Sequence, residues 1–65
     1  MRINRITLVS MLAGRDWTLK KLSEESGVSR LTISNIKRGA SCSAETVEKI
    51  SKALNVRPIE IVEGE

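Results

Sequence analysis

Residues 17–39 read WTLKKLSEESGVSRLTISNIKRG, and local signals within this stretch place two helices and the turn between them. Thr18 and Ser29 each stand just before a run with apolar residues at helical spacing, where a side-chain oxygen can accept from the free N–H groups of a first helical turn. A large apolar residue precedes each cap and another follows it four positions later, Trp17 with Leu22 and Val28 with Ile33. These pairs are candidate hydrophobic staples that fix the angle at which the chain enters each helix. Gly27 falls where the first helix must end, and glycine takes up the left-handed backbone without a Cβ penalty. The stretch therefore reads as two short amphipathic helices meeting at the corner Ser26-Gly27-Val28-Ser29.

In the second of these helices, from about Arg30 to Arg38, Ile33 and Ile36 lie three apart on one face. Arg30, Leu31, Ser34, Asn35 and Arg38 follow the i, i+1, i+4, i+5, i+8 spacing of the other. The first face is structural. The second carries two guanidinium groups, an amide, a hydroxyl and one aliphatic side chain, the chemistry that recognises phosphates, base edges and thymine methyls. Two helices so joined fit a helix-turn-helix, an arrangement able to push its second helix into a DNA groove.

Length and composition bound the alternatives. A chain of 65 residues is expected to form a single domain near the lower size limit for independent folding, with a modest core and no deep pocket. Phe and Tyr are absent and Trp17 is the one aromatic residue, so an aromatic platform for stacking single-stranded bases has no material. Duplex DNA read by a helix is the nucleic-acid mode left. The net charge is +3 and unevenly spread. Residues 1–40 hold eight Lys or Arg against three acids, net +5, whereas residues 41–65 hold three against five, net −2. A polyanion is expected to face the first half, and water or a protein partner the second.

No apolar stretch is long enough to cross a bilayer, and Ile3 to Ala13 is interrupted by Asn4, Arg5, Thr7 and Ser10, unlike a signal-peptide core; a cytoplasmic location is expected. One cysteine and no histidine exclude an intrachain disulfide and the usual zinc constellations, and no acidic cluster suggests a metal. No cofactor is implied. Cys42 reads as a packed apolar residue, because it precedes the cap Ser43 and Val47 stands at the matching staple position.

The whole chain reads as all-α, with five helices and no strand pattern. Helix 1 is expected from Ile3 to Ala13, with Ile6, Leu8, Val9, Met11 and Leu12 as a broad apolar stripe broken by Gly14 and Asp16. Helix 2 runs from Leu19 to Glu25, Leu22 pointing inward and Ser23 and Ser26 permitting close approach of a neighbour. Helix 3 runs from Arg30 to Arg38 and stops at Gly39. Helix 4, capped by Ser43, carries Val47, Ile50 and Leu54 and ends at Asn55, which accepts the left-handed conformation. Pro58 suits the first position of helix 5 and Glu60 its electropositive start, with Ile59, Ile61 and Val62 as its apolar side chains.

In this layout the chain resembles the Cro and repressor type of helix-turn-helix domain, the lambda-repressor-like or xenobiotic-response-element repressor family. The residues carrying the resemblance are Leu22, the turn Gly27-Val28-Ser29-Arg30, Thr32-Ile33-Ser34 with Ile36, the stop Arg38-Gly39, and Ser43-Ala44-Glu45-Thr46-Val47 leading to Ala53-Leu54-Asn55-Val56. Their joint order and spacing cover nearly the whole chain. The resemblance implies a compact five-helix domain with helices 2 and 3 as the motif. It further implies binding of double-stranded DNA, usually as a dimer on a two-fold operator, with helix 3 in the major groove.

Transferred position by position, the resemblance makes Arg30, Leu31, Ser34 and Asn35 the base-facing set, the same face that periodicity selects. Ser29 and Arg38 are implied phosphate contacts, as are Lys20 and Lys21 at the start of helix 2. The sequence departs from the family pattern at Leu19, where many relatives carry a phosphate-binding glutamine. It departs again at Leu12 and Lys37, where relatives often pair an arginine with an acid. Leu12 is expected to pack on the Lys37 stem, leaving that ammonium for solvent or a phosphate. With the chain ending at Glu65 after the charged tail Glu63-Gly64-Glu65, a dimer is expected to use helix 5 and its surroundings.

These expectations sum to a non-enzymatic regulator of transcription, a repressor of phage, mobile-element or Cro-like type, that occludes a promoter or touches RNA polymerase. The alternative is a repressor-like protein-interaction module or antitoxin whose main partner is a toxin or another protein. No catalysis is expected, since hydroxyls such as Ser34 have no histidine to activate them. A fragment of an enzyme such as a recombinase is the weakest reading, because Met1 is expected to start the domain and the charged tail Glu63-Gly64-Glu65 to close it.

Overall fold

The computed structural model describes residues 1–63. It is helical, with α1 (Arg5–Gly14), α2 (Leu19–Ser26), α3 (Arg30–Lys37) and α4 (Ala44–Leu54), followed by one 3-10 turn at Pro58–Glu60. The expected tail lies outside the described residues beyond Glu63.

Each α-helix begins at a side-chain cap. Asn4 Oδ1 accepts from the Thr7 amide at 3.0 Å, Thr18 Oγ1 from Lys21 at 3.1 Å, Ser29 Oγ from Thr32 at 3.1 Å and Ser43 Oγ from Thr46 at 3.2 Å. A cap of this kind contributes about 1 kcal/mol, so four of them matter in a domain with a small core. The ends are equally local. Gly27 (φ 75°) closes α2 and Asn55 (φ 59°) closes α4 in the left-handed region, and Gly39 (φ 102°) follows α3. At the end of α1 the left-handed residue is Asp16 (φ 58°), while Gly14 is still helical.

The core takes side chains from every α-helix: Leu8 and Leu12 of α1, Leu22 of α2, Ile33 and Ile36 of α3, and Val47, Ile50 and Leu54 of α4, with Val28 of the corner. Each such burial contributes about 1.5–3 kcal/mol. Trp17 and Cys42 pack against this cluster from its edge, as the staple positions require. The one buried polar residue among those described, Ser51, is satisfied by donating to the Glu48 carbonyl at 3.0 Å.

Two expectations fail, and one feature explains both. Helix 1 starts at Arg5 rather than Ile3, and the fifth helix is a single 3-10 turn. Instead, the extended residues Met1–Asn4 form a backbone clasp. Asn4 N–H donates to the Ile61 carbonyl at 2.7 Å, Glu63 N–H to Arg2 at 2.8 Å and Cys42 N–H to Met1 at 2.7 Å. Ile3 pairs antiparallel with Val62 as an isolated bridge, and Ile3 and Ile61 are both buried. Backbone groups so engaged cannot also serve a helix, so α1 is shortened and the last helix stops after one turn. The apolar stripe of α1 is likewise narrower than expected, with Leu8 and Leu12 buried but Ile6 80% and Val9 43% exposed. Ile59 is 75% exposed as well, so the last turn presents part of its apolar surface outward.

Candidate nucleic-acid interface

The corner between α2 and α3 is held by three hydrogen bonds that its serines supply. Ser23 Oγ donates to the Val28 carbonyl at 2.7 Å, Ser26 Oγ donates to Leu22 at 2.6 Å, and the Val28 amide donates back to Ser26 Oγ at 3.2 Å. Val28 itself is buried. The polar backbone of the turn is thus satisfied from within the motif, and the direction in which α3 leaves is fixed on both its polar and its apolar sides.

On α3 the buried and exposed faces separate cleanly. Ile33 and Ile36 are buried and anchor the helix to the core. On the other side Arg30, Leu31, Asn35 and Arg38 are exposed and Ser34 is half-buried. At 100° per residue these five positions fall within an arc of about 140°, with Ser34 and Arg38 towards its middle. Leu31 is 71% exposed, an unusual place for a leucine in a chain this short of core. The arginine side chains with an internal hydrogen bond or ion pair among the described residues are Arg15 and Arg57, so the guanidinium groups of Arg30 and Arg38 are available to a ligand.

The flanking candidates differ. Lys20 is exposed. Lys21 is engaged by Glu25 at 2.9 Å and lies 5.8 Å from the Trp17 ring centre. The hydrogen bond from Lys21 to Glu25, reinforced by the charge of that carboxylate, raises the lysine pKa above its ordinary value of 10.5. Ser29 uses its hydroxyl internally, accepting from the Thr32 amide and donating to Thr32 Oγ1 at 2.8 Å. What the start of α3 offers an anion is therefore its uncapped first-turn amides rather than that hydroxyl. Lys37 lies off the main face, lining a shallow groove with Val9, Leu12 and Trp17 and another with Arg5, Ile6, Val9 and Ser10. Leu19, in the position of the missing glutamine, packs against the core.

Two basic residues outside the sequence-derived set take distinct places. Arg15 bridges α1 and α4, donating to the Met11 carbonyl at 3.1 Å and to Leu54 at 2.8 Å, and its role is structural. Arg5 folds from the first turn of α1 over Gly39, its guanidinium carbon 3.8 Å from where a Cβ would stand on that glycine. Helical spacing gives no sign of this approach, because the two residues belong to different elements. The surplus of cations in the first half of the chain is the only sequence signal that touches it.

The backbone and side chains thus present a short rod with an anchored apolar side and a cationic, hydrogen-bonding free side. None of the described helices is long and apolar enough to cross a membrane. Compared with known proteins, residues 10–61 match the sequence model of the family described as Helix-turn-helix. No curated protein and no solved structure matches the chain.

Proposed function

The chain belongs to the Cro/repressor-type helix-turn-helix family of DNA-binding transcription regulators, and from that premise we propose that it reads duplex DNA sequence-specifically and represses transcription. In this reading α3 lies in the major groove, and a homodimer on a two-fold operator occludes a promoter or touches RNA polymerase. The observation that carries it is the division of α3 into a buried face, Ile33 and Ile36, and an unpartnered face, Arg30, Leu31, Ser34, Asn35 and Arg38.

The roles follow from chemistry. Asn35 pairs in bidentate fashion with adenine and Arg30 with guanine, each contributing about 1–3 kcal/mol of discrimination, while Leu31 meets a thymine methyl and Ser34 a base edge. Arg38, Lys37 and Lys20 hold phosphates, together with the first-turn amides at Ser29. Lys21 joins them by exchanging Glu25 for a phosphate. The protein acts in the cytoplasm, where its DNA is. The chain functions as a single domain and performs no catalysis.

Selection of bound sequences from a random duplex pool tests this reading. The expected product is a two-fold repeat whose half-sites are about one helical turn, roughly 34 Å, apart. The affinity should fall with salt on a log–log slope of about −0.9 per phosphate contacted. A pool that emerges without any enrichment, from a protein that does not hold random duplex at low salt, overturns it. A partner protein such as a toxin is the second reading, favoured by the exposed Ile6 and Val9 beside Lys37. That outcome would leave duplex affinity absent at every salt concentration.

A further inference from the structure

The unassigned cation at Arg5 stands in an unusual place. It occupies the first position of α1, whose start carries a partial positive charge, so its own helix gains nothing from a guanidinium there. The side chain instead leaves that end and lies across Gly39, its guanidinium carbon 3.8 Å from where a Cβ would stand. Gly39 directly follows Arg38, the last residue of the exposed face of α3, and Arg5 shares a groove of about 350 Å³ with Lys37. Arg5 and Lys37 therefore meet in one groove at the C-terminal end of α3, and Arg38, the third cation, is the next residue along the chain. The ion pairs among the described residues are Lys21–Glu25 and Arg57–Glu60, so no carboxylate neutralises any of the three.

A local explanation covers part of this. The last carbonyls of α3 carry roughly half a negative charge, and a single basic residue balances it. Lys37 stands in that last turn and Arg5 lies just beyond it, so one of the two suffices for this role. The two charges that share the groove, Arg5 and Lys37, repel one another in the free protein, and an anion bridging them relieves that repulsion.

We propose that Arg5 is a phosphate-binding residue which, with Lys37 and Arg38, grips the DNA backbone beside the C-terminal end of α3. The proposal rests on the reading of α3 as the groove-bound helix. It adds to that reading a contact from outside the helix-turn-helix, which fixes how far α3 slides along the groove without reading any base. Gly39 supports the device through its backbone, whose φ of 102° lets the chain turn beneath the guanidinium in a conformation other residues rarely adopt.

The test measures binding of the full chain to two labelled duplexes, one selected and one of random sequence, between about 50 and 200 mM salt. Arg5→Ala is expected to weaken both duplexes alike, about three- to tenfold at the lower salt, and to reduce the salt slope by about 0.9. Arg5→Lys should restore most of the slope, and Arg5→Gln should behave like alanine. Thermal melting of each variant supplies the readout of the purely local role. If Arg5→Ala lowers the melting temperature yet leaves affinity and slope unchanged while Arg38→Ala reduces both, Arg5 serves only the end of α3 and the inference is overturned. Failure of the unaltered chain to bind either duplex overturns the proposed function and this inference together.

Discussion

The Ser23 hydroxyl donates to the Val28 carbonyl across the corner at 2.7 Å, so the helix before the turn holds the residue that launches the helix after it. Val28 is also buried, which means that neither its side chain nor its carbonyl can shift without losing a partner. The angle between α2 and α3 is therefore held at Val28 by its buried side chain, by the Ser23 hydroxyl on its carbonyl and by Ser26 Oγ on its amide.

Replacing that hydroxyl isolates its contribution. Ser23→Ala leaves a part-buried carbonyl without its donor, and the expected cost is about 1–3 kcal/mol. Urea unfolding checks it, as a lower midpoint at unchanged slope. An unmoved midpoint would show that water replaces the hydroxyl and that the corner is held by Ser26 and the buried Val28 side chain.

Base reading and phosphate gripping are expected to separate at Asn35 and Arg38. Asn35→Ala should relax preference at one base position, costing about 1–3 kcal/mol there and little elsewhere. Arg38→Ala should weaken every sequence alike and reduce the salt slope by about 0.9. Competition binding against a panel of single-base operator variants distinguishes these patterns, and a uniform loss in the asparagine variant would remove it from the base-facing set.

The parts of this arrangement that the sequence made legible are those governed by neighbours. Thr18, Ser29 and Ser43 cap as their side chains and positions require, and Gly27, Gly39 and Asn55 sit at positive φ where the helices stop. The faces of α3 follow from spacing alone. The features that were not legible depend on residues far apart. Ile3 extends the apolar spacing of Ile6 and the rest of α1, yet it pairs with Val62. That distant pairing starts α1 late and ends the last helix early. Among the basic residues, nothing local distinguishes Arg15, tied to the carbonyls of Met11 and Leu54, from Arg5, lying over Gly39. Candidate base contacts come from one helix and could be read; the cations around them come from several and could not.

Lys21 provides a test of whether an internal partner competes with DNA. Its pKa is raised by Glu25, so any stabilisation from that pair is present below the ordinary lysine value of 10.5 and lost only as pH rises through the folded value. Near neutral pH the pair therefore adds no pH dependence through the lysine. Because both groups are well exposed, Glu25→Gln is expected to leave stability unchanged within error. It should raise duplex affinity a few-fold at low salt, since it releases the ammonium and removes an opposing charge, and the gain should fade as salt increases. Equal affinity for both proteins at low salt would place Lys21 away from the phosphates.

Ile59 and Ile61 lie two residues apart at the final turn, one 75% exposed and the other fully buried. A charge at Ile61 would enter the core beside Ile3 and threaten the whole fold, whereas a charge at Ile59 meets only water in the monomer. Ile59→Asp should therefore keep the melting transition close to that of the unaltered chain, within the half kcal/mol or so typical of surface changes. If the homodimer uses this turn, the same substitution buries an unpaired carboxylate in the interface, and association should weaken at least tenfold. Sedimentation of the free protein and footprinting on a two-fold site check the two halves of this expectation. A variant that still protects both half-sites at unchanged protein concentration would move the interface elsewhere. The exposed Ile6 and Val9 of α1 would then be the next apolar surface to test.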